Sequence, residues 1–332
     1  MAKSRFIFIA TVLMALVFIS WPGKGLAQPE INIAHLDDAG YEVMFYALKQ
    51  GIIKSPKVKL KFHALPVPGL IQAMSSKQYD LIGTASIAVP KAIKRGLKIK
   101  IVSLGSTTKE GSYGIFVKKT SDIKSVKDLK GRKLGIHSLG AANVVQMKIV
   151  LQKKFGLNTS RVGGDLNFVE APPLMLATLL ARGGVDAIFG FGVGFYKASR
   201  HPDFRLLVKT AEEYKKAFGM LTPVEAYIAF EDSIAKNPEA IREVQRLFFE
   251  SKKYYTAHGL KIVKEVAAKQ KQDYNYLKWW FEKGWESPFS LEKKWVDALD
   301  RYYQLAYEIG DLSYRPNTEK LIWKGYWEKA GR

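Results

Sequence analysis

SDIKSVKDLKGRKLGIHSLGAANVVQMKIVLQKKFGL, residues Ser121 to Leu157, decides how the rest of the chain is read. Val126–Gly131 predicts a short helical turn ending at a glycine, and Lys133–His137 a brief strand. Ser138 to Asn143 is a turn of small residues. It opens a helix whose apolar positions Val144, Met147, Leu151 and Phe155 keep the spacing of one face. Gly156 can take the left-handed conformation that ends such a helix. A strand feeding a Ser/Gly/Ala turn at a helix start turns backbone N–H groups outward at the positive end of the dipole, which suits an anion. The alternative is an ordinary strand-to-helix connection with a capping serine.

Outward from this stretch the chain alternates strand and helix. Strands are expected at Ile31–Leu36, Val58–His63, Tyr79–Gly83 and Lys98–Leu104, with helices over 41–50 and 69–77 and one opened by Thr84-Ala85-Ser86. Further strands are expected at 113–117, 166–169, 185–189, 204–208 and 225–231, with a helix over 174–182. Such βαβ alternation predicts mostly parallel sheets covered by helices. The two halves echo each other: Asp80-Leu81-Ile82 precedes Val102 by the same interval as Asp186-Ala187-Ile188 precedes Val208. The remainder is helical. Asn237 caps a helix with Pro238 at its first position, and separate helices are expected over 262–268, 276–283, 291–309 and 318–329. Six of the seven tryptophans lie between Trp279 and Trp327, and core packing is the expected use of such large aromatics.

Composition narrows the function. The chain has 332 residues, 47% hydrophobic and 25% charged, enough for real cores. Its formal net charge of +21 favours anionic ligands or surfaces at long range, yet the lysines are spread evenly and no nucleic-acid motif appears. The absence of cysteine removes disulfides, thiolate metal sites and cysteine nucleophiles. Met1–Ala27 reads as a cleaved secretory signal: Lys3 and Arg5, the apolar run Phe6–Ile19, a Trp-Pro-Gly break and small residues before the cut. The mature chain is then expected to be soluble in the periplasm.

No catalytic constellation emerges. His35, His63, His137, His201 and His258 form no metal-ligand pair. Ile136-His137-Ser138-Leu139-Gly140 lacks the first glycine of a hydrolase elbow. Gly190-Phe191-Gly192-Val193-Gly194 has its third glycine one place early for a dinucleotide loop and reads better as a close-packed turn bordering a cleft. Asp37 and Asp38, after the first strand, suit helix capping better than acid–base work.

Several segments together resemble the periplasmic substrate-binding proteins of ABC importers in the nitrate/sulfonate/taurine group, whose relatives include binders of thiamine-type pyrimidines. Ser125–Ile136 is similar to the motif that opens the second lobe of that family. Ala47–Lys54, Lys77–Gly83 and Gly184–Ile188 resemble three others, with Lys77 where the family has glycine. The resemblance spans about residues 28 to 320. It implies the two-lobed type II periplasmic binding protein fold, α/β, each lobe a mostly parallel sheet flanked by helices, with a helical C-terminal extension. Lobe 1 would comprise residues 28–112 plus 218–332, and lobe 2 residues 113–217. The lobes would close on a small solute and deliver it to a membrane permease driven by an ATPase. Neither catalysis nor a cofactor or metal is implied, and the protein would be a monomer meeting its membrane partner transiently.

Ligands in open α/β sheets sit beyond the carboxyl ends of strands. That rule selects Asp38, Tyr41, Thr84, Ala85 and Ser86 in lobe 1, and Ser138, Gly140, Ala141, Phe191 and Gly192 in lobe 2. Hydroxyls of Ser138 and Thr84 and the Ala141 amide would hold an acid group, with Tyr41 and Phe191 sandwiching an apolar body. The expected ligand is a small organic anion (a sulfonate, a taurine-like compound or a carboxylate), although Asp37 and Asp38 pull toward N–H donors. A pyrimidine-binding protein, an exported sensor and an enzyme on this fold are the alternatives.

Overall fold

The computed structural model describes residues 28–327, so the expected signal Met1–Ala27 lies outside the described residues, as does the expected helix end at Lys329. The strands are β1 (Glu30–Leu36), β2 (Lys59–Leu65), β3 (Leu81–Ala85), β4 (Ile99–Leu104), β5 (Thr107–Thr108), β6 (Tyr113–Lys118), β7 (Lys133–Ile136), β8 (Asn167–Glu170), β9 (Ala187–Phe191), β10 (Phe204–Val208), β11 (Glu225–Phe230) and β12 (Trp285–Glu286). They form two five-stranded sheets, ordered β2-β1-β3-β11-β4 and β8-β7-β9-β6-β10, plus the small pair β5-β12. The two large sheets share one topology. In each, one strand runs against the rest: β11 in the first and β6 in the second. The first sheet draws strands from both ends of the chain and the second from its middle.

The internal echo in the sequence falls on equivalent strands. Asp80 and Asp186 precede β3 and β9, and each accepts a hydrogen bond from a neighbouring strand: the Asn32 amide donates to Asp80 Oδ2 at 2.8 Å, and the Lys133 amide to Asp186 Oδ2 at 2.7 Å. These charge-assisted bonds fix the register of β1 on β3 and of β7 on β9.

The organising stretch folds nearly as its pattern dictates. Val126–Leu129 forms one 3₁₀ turn, with Ser125 and Asp128 as reciprocal caps. Helix Ala142–Phe155 ends at Gly156, φ +74°. Its burial differs from the expected single face: every residue from Ala142 to Leu151 is buried. The helix is covered on its far side by helix Lys293–Glu308, whose Tyr302 hydroxyl donates to the Ala142 carbonyl at 2.9 Å. Lys148 is admitted there by its 2.6 Å ion pair with Asp311.

Several boundaries differ from expectation for identifiable reasons. β3 and β9 each begin and end two residues later than the pattern suggests, with Gly83 and Gly190 inside them. A Cβ on Gly83 would fall 2.8 Å from Glu225 Oε1, and one on Gly190 3.0 Å from Phe195 Cα. Thr84 and Ala85 therefore end a strand, and the next helix begins at Ala88. The helix expected to end before residue 262 continues unbroken from Pro238 to Gln270. Its Gly259 is a seat: a Cβ there would lie 2.6 Å from Phe281 Cε1. The segment expected as one helix over 276–283 is a helix, Tyr274–Trp279, followed by a wide turn of π pitch, Trp280–Gly284. The last helix stops at Leu321, since Ile322 bridges Ile101 and the Trp323 amide donates to the Ile101 carbonyl at 3.0 Å.

Three segments meet between the sheets. Thr107 and Thr108 of β5 pair with Glu286 and Trp285 of β12, and Thr107 bridges Pro223. Gln146 reaches both connections: its Nε2 donates to Thr108 Oγ1 at 3.1 Å and to Thr222 Oγ1 at 3.0 Å.

Candidate functional site

The reversed strands bring their first residues level with the last residues of their neighbours, where a parallel strand would have put its own last residue. Because β11 runs against β3, its first residue, Glu225, stands opposite Ala85, the last residue of β3. Likewise Tyr113, the first residue of β6, stands opposite Phe191, the last of β9. Glu225 lies between two glycines that leave it room: a Cβ on Gly105 would fall 2.7 Å from its Cδ. Burial lifts the Glu225 carboxyl to about 7, against the opposing pull of the Tyr41 and Ser106 hydroxyls. Its Oε2 has no hydrogen-bond partner among the described residues.

Asp38 supplies a second carboxyl. It caps helix Ala39–Met44, with Oδ1 accepting from the Gly40 amide at 2.8 Å. Burial raises its proton affinity above the ordinary carboxylate value, the Gly40 amide opposes this, and the Asp37 charge adds to it. Burial, then the Asp38 charge, raises the Tyr276 hydroxyl as well. Burial raises the Tyr113 hydroxyl; the Trp285 side chain opposes this, and the Asp38 and Glu225 charges add to it. These groups from both sheets and from the C-terminal segment thus share one electrostatic neighbourhood.

Aromatic rings close it. Tyr41 lies 5.9 Å from Trp285, and Trp285 lies 5.7 Å from Trp280, both edge-to-face. His137 lies 4.1 Å from Phe191, and burial lowers its imidazole to about 4, with Asn143 opposing the shift. Besides Glu225 Oε2, buried polar atoms without a partner among the described residues include Tyr227 Oη, Tyr276 Oη, Trp280 Nε1 and His137 Nδ1. Several unpaired polar atoms in one neighbourhood are uncommon in a protein interior, where such groups are nearly always satisfied.

The structure brings together some of the residues selected from sequence. Asp38, Tyr41, Phe191 and Gly192 lie in this neighbourhood, with Ala85 at its rim beside Glu225. Of the others, Thr84, Ser86, Gly140 and Ala141 donate to partners inside the protein, whereas the Ser138 hydroxyl takes part as an acceptor. Thr84 Oγ1 donates to Met74 Sδ at 3.2 Å and Ser86 Oγ to the Pro223 carbonyl at 2.7 Å. In the turn after β7, Ser138 Oγ accepts from the Gly140 amide at 3.2 Å, the Ala141 amide donates to the Ser138 carbonyl at 3.2 Å, and the Leu139 amide donates to Glu170 Oε1 at 2.6 Å. That turn therefore does not offer the free amides expected of it. Glu225, Tyr113, Tyr276 and Trp280 were not selected from sequence. A lone acid heading the apolar strand Glu225–Phe230 was the available signal.

Among the described residues no three histidine or carboxylate groups converge as they would on a metal ion, and no helix is long and apolar enough to cross a membrane.

Similar folds are known. The chain superposes on the alkanesulfonate-binding protein SsuA from Xanthomonas axonopodis pv. citri, solved with MOPS, with a TM-score of 0.70 at 18% identity, covering 90% of this chain and 99% of that one. The periplasmic aliphatic sulphonate binding protein SsuA from Escherichia coli gives a TM-score of 0.69 at 18% identity, covering 89% and 98%. The Candida albicans CA3427 product, described as having the generic periplasmic binding protein fold, gives 0.68 at 15% identity, covering 91% and 97%. At such identities the likeness establishes the fold, a two-sheet periplasmic binding protein fold. No curated protein matches the sequence. The family model described as NMT1/THI5 like matches residues 44–262, about two thirds of the chain. The chain belongs to the NMT1/THI5-like family.

Proposed function

We propose that this chain is the extracytoplasmic solute-binding component of an ABC importer, without catalytic activity of its own. Residues 28–112 with 218–332 form one lobe and residues 113–217 the other, and the lobes close on a small solute that a membrane permease and its ATPase take up. The protein works as a periplasmic monomer after removal of Met1–Ala27. The solute carries N–H donors, as an aminopyrimidine or an amine does. The expected small organic anion is the poorer fit: the Ala141 amide and the Thr84 hydroxyl meant for its acid group donate to partners within the protein, and the neighbourhood holds two carboxyls.

The observation that carries this reading is Glu225, a buried carboxyl beside the end of β3 whose Oε2 lacks a donor among the described residues. A buried acceptor left unpaired is costly, so a ligand N–H is the complement it calls for. Thermal unfolding of the refolded mature chain tests it with cytosine, taurine and methanesulfonate. Cytosine is expected to stabilise the fold, by about 2.7 kcal/mol at roughly 100-fold excess over Kd. Stabilisation by methanesulfonate with none by cytosine would replace the donor-bearing solute with an anion.

A further inference from the structure

The long helix Pro238–Gln270 changes character midway. Residues 238–250 set Arg242 and Arg246 against Glu239, Glu243 and Glu250. Residues 251–271 carry Lys252, Lys253, Lys261, Lys264, Lys269 and Lys271 against Glu265 alone, and the Tyr46 hydroxyl donates to that carboxylate. At about 3.6 residues per turn, Lys253, Leu260, Lys261 and Lys264 fall on one side of the helix, with Ala257 and Ala268 in the gaps. Lys271 continues the row just past the helix end, and every member of the row is exposed. Ile262 and Val266 bury the opposite side. At about 1.5 Å per residue the row is ~27 Å long. Lys253 reaches Glu250 at 3.3 Å, whereas Lys261, Lys264 and Lys271 form no ion pair or side-chain hydrogen bond among the described residues. The helix dipole favours cations in the last turn, which accounts for Lys269 and Lys271 but not for Lys261 or Lys264. Lys271 moreover takes φ +53°, where glycine is the usual residue.

We propose that this lysine row is a docking surface for an anionic lipid bilayer. The helix lies along the membrane plane, with its lysines among the headgroups and the exposed Leu260 and Tyr274 at headgroup level. The row is straight, one-sided and extended, so it complements a plane of negative charge rather than a single bound ion. Its cations are all lysines, point charges suited to the diffuse field of a surface. Nucleic acids and phosphorylated peptides are gripped by arginine forks and stacked aromatic rings, and the row has neither. The formal net charge of +21 adds attraction at long range. The surface goes beyond the solute-binding role: it would hold the chain beside the membrane that contains its proposed permease, whatever the solute.

Co-sedimentation of the mature chain with vesicles tests the proposal, using phosphatidylcholine alone and an equal mixture of phosphatidylcholine and phosphatidylglycerol. Wild type should sediment with the mixed vesicles and not with the neutral ones, and the association should weaken as salt rises. Joint replacement Lys261→Gln, Lys264→Gln and Lys271→Gln should weaken it about tenfold or more. Joint replacement Lys119→Gln, Lys127→Gln and Lys133→Gln removes the same charge from exposed lysines around the second sheet, and should change it by less than about threefold. Circular dichroism confirms that each variant is folded. A wild type that ignores the mixed vesicles overturns the proposal. Equal weakening in the two triple variants overturns it too, since net charge alone would then explain the attraction. Stronger binding of duplex DNA than of the mixed vesicles, lost on replacing Lys261, Lys264 and Lys271, overturns it in favour of a nucleic acid. None of these outcomes bears on solute binding, which thermal unfolding with cytosine measures separately.

Discussion

Trp280 occupies the space that a side chain on Gly40 would need: a Cβ there would stand 2.6 Å from the indole Nε1. The indole is 2% exposed and wedged edge-to-face against Trp285, so it has little freedom to retreat. Gly40→Ala should destabilise the fold by ~1–3 kcal/mol, the usual cost of overpacking. Gly111→Ala, where a Cβ meets nothing within 4 Å, is the control and should be near neutral. Urea unfolding of the two variants distinguishes a specific clash from a general glycine effect.

Two buried groups shape stability against pH in opposite directions. Glu225 rises from 4.5 to about 7 on folding, chiefly by burial. Between those values the unfolded chain loses its proton while the folded chain keeps it. Stability therefore falls as pH rises through that window, by on the order of 3 kcal/mol in all, and Glu225→Gln should abolish that slope. His35 falls from 6.5 to about 4, through burial first and the Lys49 charge second. Its contribution is complete above pH 6.5 and is lost as pH drops toward 4, again on the order of 3 kcal/mol. His35→Phe, placed among Tyr41, Phe45 and Phe62, should flatten this acid limb. Urea titrations at half-unit pH steps resolve both slopes.

Gln146 ties the two connections between the sheets through Thr108 and Thr222. Gln146→Leu would strand two buried hydroxyls at a cost of ~1–3 kcal/mol. Adding Thr108→Val and Thr222→Val to Gln146→Leu should recover part of that loss, since removing all partners together leaves nothing unpaired. Unfolding free energies of the single, double and triple variants measure the coupling.

Lys77 stands where the family resemblance leads one to expect glycine, and it ends helix Val67–Ser76 in the left-handed conformation, φ +53°. A side chain in that region costs ~1–2 kcal/mol. Its exposed ion pair with Asp232 offsets only a fraction of this, since such pairs contribute ~0–1 kcal/mol. Lys77→Gly should therefore raise Tm, as differential scanning calorimetry would record.

Local chemistry was legible in the sequence because it acts between neighbours. The strand–helix alternation, the glycine at the end of helix Ala142–Phe155, the Asn237–Pro238 helix start and the paired Asp80 and Asp186 follow from backbone sterics and short-range hydrogen bonds. Asp38 and Phe191 were within reach of the strand-end rule, because Phe191 ends β9 and Asp38 follows the end of β1, strands that run with the majority of their sheets. Glu225 and Tyr113 could not be found by the same rule. Side-chain alternation is the same for a strand running either way, so it does not reveal that β11 and β6 are reversed, and reversal carries a strand's first residue to the edge where its neighbours' last residues lie. Nor could spacing alone bring Trp280 to Gly40, or Tyr276 to Gly192. Those approaches depend on packing between segments far apart in sequence, whose local patterns read only as core.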